Sequence, residues 1–304
     1  MRLTSLAIAA APLMFVLLWS TGFIGARFGL PYIEPMTFLA VRMTLVVVVM
    51  LPIAFLSGAR WPNAVESGHS LAIGILVHGI YLGGVFIAIS QGVPAGISAL
   101  IPGLQPILTS TIANRFMGEK VTPLQWLGLV LGLGGVALVL HDRQMIAEAS
   151  LLGWAASVVS LLGITVGTLY QKRHGANIDW RTGNVLQYLA VAVFFWILSF
   201  ALEHRVIHWT GELVFAITWL VVVLSIATVA LMYWLIRRSP ATGFASLFYL
   251  VPATTALFAF ILFGEKLDVL SVVGMVICAA GVLIVNRGGP ARPAASNVAA
   301  TLND

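Results

Sequence analysis

The sequence has little of what covers a soluble globule. A single cysteine, Cys278, stands in 304 residues, so no disulfide can form within the chain. Charged residues make up only 9%. The eleven acidic ones, Glu34, Glu66, Glu119, Asp142, Glu148, Asp179, Glu203, Glu212, Glu265, Asp268 and Asp304, all fall in loops, at the ends of apolar runs or in the tail. A proton relay on buried carboxylates, or a carboxylate trap for lipophilic cations, therefore has no residue to run on. No glycine-rich phosphate loop of the Walker type occurs, so ATP hydrolysis has no site in this chain. No pattern asks for a metal or a cofactor.

What is there is hydrocarbon. With 60% hydrophobic residues and a mean hydropathy of +1.01, too little polar surface remains for a water-soluble fold of this length. A bilayer span takes about 20 mostly apolar residues, and ten such runs can be marked, at roughly 6–26, 35–56, 70–90, 95–115, 122–140, 149–171, 183–202, 213–235, 240–263 and 268–286. The first continues through "LMFVLLWSTGFIGA", longer than the apolar region of a cleaved signal peptide, and is read as a span. From Gly288 the tail "GGPARPAASNVAATLND" is small and polar, and 288–304 is expected to be disordered.

Lysine and arginine set the orientation. With a cytoplasmic N-terminus, the inner ends and loops hold eleven: Arg2, Arg60, Arg115, Lys120, Lys172, Arg173, Arg181, Arg237, Arg238, Arg287 and Arg292. The outer ones hold four, Arg27, Arg143, Arg205 and Lys266, and Arg42 is left inside a span. This bias places both termini in the cytoplasm. The net charge of +5 is then a topology signal, with no charged soluble face for nucleic acid.

The chain also repeats itself. Slid by 146 positions without a gap, Pro94–Val139 matches Pro240–Val285 at 16 of 46 places, among them Pro106/Pro252, Thr109/Thr255, Gly118-Glu119-Lys120/Gly264-Glu265-Lys266, Gly128/Gly274 and Gly135/Gly281. Each half, 1–145 and 146–287, carries five runs. An odd number forces the second half to cross the membrane in the opposite sense. The sequence thus predicts an all-α integral membrane protein of ten transmembrane helices in two inverted five-helix repeats, a plan that recurs in secondary transporters.

These residues resemble the EamA branch of the drug/metabolite transporter superfamily. The resemblance rests on "LWSTGFIGARFG", on "LAVRMTL" around Arg42, and on "PGLQPILTSTIANRFMGEKVTPLQWLGLVLGLGGVAL" with its echo "YLVPATTALFAFILFGEKLDVLSVVGMVICAAGVLI". It implies a multi-pass protein of the inner membrane that exports small metabolites through a cavity lined by spans 1–4 and 6–9, with spans 5 and 10 as outer supports. The subgroup most similar is that of amino-acid exporters of the YddG type. Amino acids are thus the leading solute class, with sugars, nucleosides and drug-like metabolites as alternatives. Gln187 departs from the pattern: it stands where Arg42 stands when the early spans are matched at an offset of 145.

Candidate contacts come from polar groups in apolar runs. Pro102, Pro106 and Pro252 break spans 4 and 9 and are expected to free the carbonyls of Ser98, Pro102 and Phe248 as hinges or ligands. Ser98, Pro102, Gln105 and Thr109 share one helix face, and their counterparts are Phe244, Phe248, Val251 and Thr255. One wall thus offers hydroxyls and an amide, the other rings, which suits a solute with a polar head and an apolar body. Trp19 in span 1, His78 and Tyr81 in span 3, and Arg42 complete the substrate-binding set. Arg42 has two readings, an anchor that snorkels outward or a contact for a solute carboxylate. His78 is either a packing residue or a protonation switch. A competing enzyme reading takes Ser98 in "GISA" with His78 as an intramembrane serine hydrolase. It leaves the repeat unexplained. The expected partners are a small-molecule solute and lipid, and nothing in the sequence specifies an oligomer.

The inverted repeat has a direct test. With Cys278 first replaced, cysteine at Lys120 should react with an impermeant reagent only from the cytoplasm, and cysteine at Lys266 only from outside. Equal sidedness would remove the inversion.

Overall fold

The structure, a computed structural model, describes residues 2–93, 95–116, 121–139, 150–263 and 269–288. Among them the backbone is almost wholly helical, as hydrocarbon demands of a chain with no water to satisfy its amides. The helical stretches are α1 (Arg2–Gly29), α2 (Pro35–Leu56), α3 (Ala64–Ser90), α4 (residues 95–116), α5 (Pro123–Val139), α6 (Leu151–His174), α7 (Trp180–Leu202), α8 (Gly211–Arg238), α9 (Ala241–Phe263) and α10 (Val269–Arg287). Eight of these are long and apolar enough to cross a membrane, and Pro123–Leu138 is a shorter apolar helix. α4 is not among the eight: its helical run is interrupted at Ile101, just before a 3-10 turn at Pro102–Leu104. Both Gly-Glu-Lys turns, Pro94, the 145/146 boundary and the tail beyond Gly288 lie outside the described residues.

Polar side chains sit where helices end. Asn63 and Glu66 form a reciprocal capping box on α3, and Ser150 and Thr210 accept from Gly153 and Leu213 at the starts of α6 and α8. The N-terminus of α2 is capped from across the bundle. The Glu203 carboxylate accepts from the amides of Met36 (2.6 Å) and Thr37 (2.7 Å), and anionic oxygens suit the positive end of a helix. Arg205, at φ 62°, turns back so that its guanidinium donates to the carbonyls of Ser199 and Glu203 at the end of α7.

The main helix pairs recur when the helices are renumbered by five. α1 lies on α8 and α9; α6 correspondingly lies on α3 and α4. α2 pairs with α7, and α5 with α10. The irregular turns follow the same rule. α3 and α8 each contain a π-helical stretch, Ile75–Ile80 and Leu220–Thr228, while α4 and α9 each contain a 3-10 turn, at Pro102–Leu104 and Leu247–Tyr249.

The α5/α10 seam shows why glycine is needed there. A Cβ on Gly128 would meet the Gly281 carbonyl at 2.8 Å, and one on Gly281 would meet the Gly128 carbonyl at 2.7 Å. A Cβ on Gly135 would strike the Gly274 carbonyl at 2.7 Å. Without a hydrophobic drive between helices in lipid, such close backbone approach supplies the attraction.

Gly281→Ala should therefore lower the thermal midpoint of the detergent-solubilised protein, at a cost of about 1–3 kcal/mol for overpacking. Gly134→Ala, on the same helix as Gly128 with nothing within 4 Å, should leave it equal or raised. Equal tolerance at both positions would dissolve the seam.

Candidate functional site

The two π-helical stretches carry the polar residues of the centre. A π turn inserts an extra residue and rotates the side chains that follow, a distortion often found at functional sites. The stretch in α3 brings in His78, and the stretch in α8 brings in Ser225. Between them lies Arg42 of α2, 2% exposed. It does not snorkel. Its Nε and Nη2 donate to the Ser225 hydroxyl at 3.2 and 2.9 Å, and the Tyr188 hydroxyl donates to the Ser225 carbonyl at 2.7 Å. His78 stacks on the Tyr188 ring at 4.5 Å. Trp19 lies over Tyr81 and donates to its hydroxyl at 3.2 Å.

Arg42 is under-satisfied. Its Nη1 is buried without a hydrogen-bond partner, as is Nε2 of His78, and no carboxylate among the described residues pairs with the guanidinium. Buried charge without a counter-ion is costly. Arg42, His78, Trp19, Tyr81 and Tyr188 together line a cavity of about 20 Å³, room for about one water.

A ring cluster closes this cavity on one side. Phe15 contacts Trp19, Phe244 and Phe248 at 5.2, 5.4 and 5.8 Å between centroids, and Trp19 meets Phe248 edge-on at 5.6 Å. Beyond it a second cavity, about 10 Å³, touches Thr109, Thr168, Lys172 and Phe244. Gln105 donates to Thr168 of α6 at 3.0 Å. The side-chain oxygens of Ser98, Thr109 and Thr255, and Oε1 of Gln105, are buried without partners.

The sequence-derived set is thus divided between two places. Trp19, Arg42, His78 and Tyr81 meet at the larger central cavity, and Thr109 and Phe244 at the smaller one. Phe248 belongs to the ring cluster between them. Pro102 lies in the 3-10 turn, where its carbonyl accepts from the Gln105 amide, so the sequence expectation of a free carbonyl there is corrected. Pro106 follows that turn in α4, and Pro252 follows the equivalent turn in α9. Ser98 and His78 share no hydrogen bond, which removes the nucleophile–base pair of the hydrolase reading. Sequence reasoning missed Ser225, Tyr188, Thr168 and Tyr233. Each is a polar residue within an apolar run, the one signal that could have found it.

Both ends of the bundle are shut. At one, Glu203 and Glu34 hold the α1–α2 and α7–α8 connections together: Glu34 accepts from the amides of His204 and Arg205 at 3.2 and 2.6 Å, and Ile33 bridges Ile207. At the other, Arg237 donates to the carbonyls of Gly175 (3.1 Å) and Ile178 (2.5 Å), Lys172 to that of Ser239 (2.7 Å), and Thr182 to that of Arg60 (2.7 Å). Beside these, the hydrogen bond from Arg181 holds the Asp179 carboxyl below the usual carboxylate range.

Known proteins match this architecture along its length. The sequence profile of the EamA-like transporter family fits residues 6–141 and again 151–287. The chain is 25% identical to the uncharacterized transporter YvbV of Bacillus subtilis (strain 168), over 92% of each chain. It is 25% identical to the uncharacterized inner membrane transporter YedA of Escherichia coli (strain K12), over 95% of this chain and 93% of that one. A probable amino-acid metabolite efflux pump of the same strain is 22% identical, over 90% and 92%. A solved crystal structure superposes with a TM-score of 0.73 at 18% identity, covering 91% of this chain and 96% of that chain, and so shares the fold.

Two interhelical bonds should weigh differently when removed. Thr44→Val deletes the bond from Trp196 (3.0 Å) and should cost about 0.6 kcal/mol, the average for such bonds in lipid. Ser225→Ala strips a buried guanidinium of its side-chain partner and should cost about 1–3 kcal/mol. Thermal midpoints in one detergent compare them; equal shifts would mean that water already satisfies Arg42.

Proposed function

The chain belongs to the EamA-like transporter family, and from that membership and the geometry of its centre we propose that it exports small carboxylate-bearing metabolites, amino acids foremost, across the inner membrane by alternating access. Transport and a multi-pass membrane setting come with the family, which is one of transporters and not of enzymes. The finer reading rests on one observation above all, the buried Arg42, whose Nη1 is unpartnered and which lines a cavity without acidic residues. A carboxylate would complete its planar fork of donors. The faces of Trp19 and Tyr81 offer an ammonium group cation–π contact and an apolar side chain a surface.

Ten spans in two inverted repeats, with both termini cytoplasmic, is the plan this reading adopts. It is supported by the exchange-symmetric packing, by the doubled π and 3-10 turns, and by the separate fit of each half to the family profile. The cavity holds about one water and both ends are latched, so the conformation is occluded. Transport then opens one latch while the other holds. The Glu203/Glu34 latch joins residues of 1–145 to residues of 146–287, as rocking of two halves requires, and at the other end the Thr182–Arg60 bond does the same while the Arg237 and Lys172 bonds tie the second half to itself. Gln105, Thr109, Ser98, Thr255 and the Phe244/Phe248 rings line the route toward the arginine-rich end, with Pro102, Pro106 and Pro252 as its bending points. The efflux-pump relative favours amino acids over sugars or nucleosides, and the lone cationic centre disfavours lipophilic cations.

Counterflow of alanine, leucine, threonine and phenylalanine in proteoliposomes tests the reading. Arg42→Gln should weaken all four alike by about thirtyfold or more, since losing a buried charge pair costs about 2–5 kcal/mol. Normal flux of the four through Arg42→Gln would discard the carboxylate site.

A further inference from the structure

We propose that the crevice between α1, α7 and α8 is an intake site for a carboxylate-bearing solute with an apolar body, and that the Tyr233–Gln187 hydrogen bond is the gate between it and the Arg42 cavity. This rests on the carboxylate reading above and adds the route by which the solute arrives. At about 610 Å³ the crevice is far larger than the central cavity of about 20 Å³, and it falls in the range of small-molecule sites. Trp180 and Trp234 supply broad apolar faces, and Ala230 sits in its wall. Arg237 is pinned by two loop carbonyls, and the exposed Arg238 lies over the Trp234 ring at 4.3 Å. Among the described residues no acidic side chain lines the crevice. Its charge is complementary to an anion and repels a cation.

Its inner wall is Tyr233. This residue is 3% exposed, and its hydroxyl donates a short hydrogen bond to Oε1 of Gln187. Gln187 also lies beside the His78 ring, which lines the Arg42 cavity. One amide therefore separates a spacious vestibule from the central cation. The backbone of Gln187 is packed tightly, because a Cβ on Gly74 of α3 would meet its backbone carbonyl at 2.6 Å. Turning the Tyr233 ring aside breaks a single hydrogen bond to the Gln187 side chain and joins the two spaces.

The test uses the full chain in proteoliposomes, with Cys278→Ser as background and Ala230→Cys as reporter. An anionic methanethiosulfonate should label the reporter, and phenylalanine or 3-phenylpropanoate at ten times its Kd should slow labelling about tenfold. Phenethylamine, which lacks the carboxylate, should not. Arg238→Gln should weaken protection. Tyr233→Phe should speed exchange severalfold with the half-protecting concentration unchanged. Absence of solute protection, or protection that follows the phosphatidylglycerol content of the vesicle and not the solute, overturns the intake site. An unchanged exchange rate in Tyr233→Phe overturns the gate. Loss of flux in Arg42→Gln without any protection at Ala230→Cys would sink the intake site while sparing the carboxylate reading, so the two fail separately.

Discussion

A guanidinium held at hydrocarbon depth must be met by something, because its transfer from water costs more than any single contact in the bundle returns. Arg42 is met by one hydroxyl, Ser225, and by the electron-rich rings of its surroundings, with no carboxylate among the described residues. The other features of the centre follow from that shortfall. Ser225 faces Arg42 because α8 is wound as a π-helix there, and its carbonyl is tied down by Tyr188. Tyr188 in turn supports His78. Removing the arginine would leave two distorted helices and a row of buried hydroxyls with no reason to be where they are.

Rigidity and compliance are separated in space. The α5/α10 seam is largely backbone against backbone, glycine on glycine, and α3 meets α6 and α7 as closely at Gly84, Gly163 and Gly74. The centre of the bundle meets through π turns, 3-10 turns and rings, which can rearrange among near-equal packings. The ends are held by hydrogen bonds to the carboxylates of Glu203 and Glu34 and from ammonium and guanidinium groups, where water can substitute for each partner. A bundle built this way has a frame to keep should its ends open in turn, as the proposed cycle requires.

Much of this was legible in the sequence. Hydropathy marks the helices, since lipid permits little else, and the main helix pairs recur on renumbering by five, in keeping with the echo of Pro94–Val139 in Pro240–Val285. Arg42 stands out because charge is rare in such runs. The partners of Arg42 were not legible. Helical periodicity assumes 3.6 residues per turn, and a π stretch breaks that count, so the faces presented by "ILVHGI" and "LVVVLSIAT" could not be phased. The stripe on α4, Ser98, Pro102, Gln105 and Thr109, is buried at each position although the turn at Pro102 interrupts the helix that phased it. The bond between Tyr233 and Gln187 joins residues 46 apart, and no local pattern encodes it.

The charge of Arg42 gives the proposed cycle an electrical side. One elementary charge moved through the full membrane potential exchanges about 2.3 kcal/mol per 100 mV. Under the alternating-access proposal, an empty centre that changes the face it opens to would carry a positive charge through part of that field, and an interior-negative cell would draw it back toward the cytoplasm. A solute of charge −1 would cancel the arginine and leave the loaded step indifferent to voltage, whereas a zwitterion would cancel nothing and both steps would feel the field.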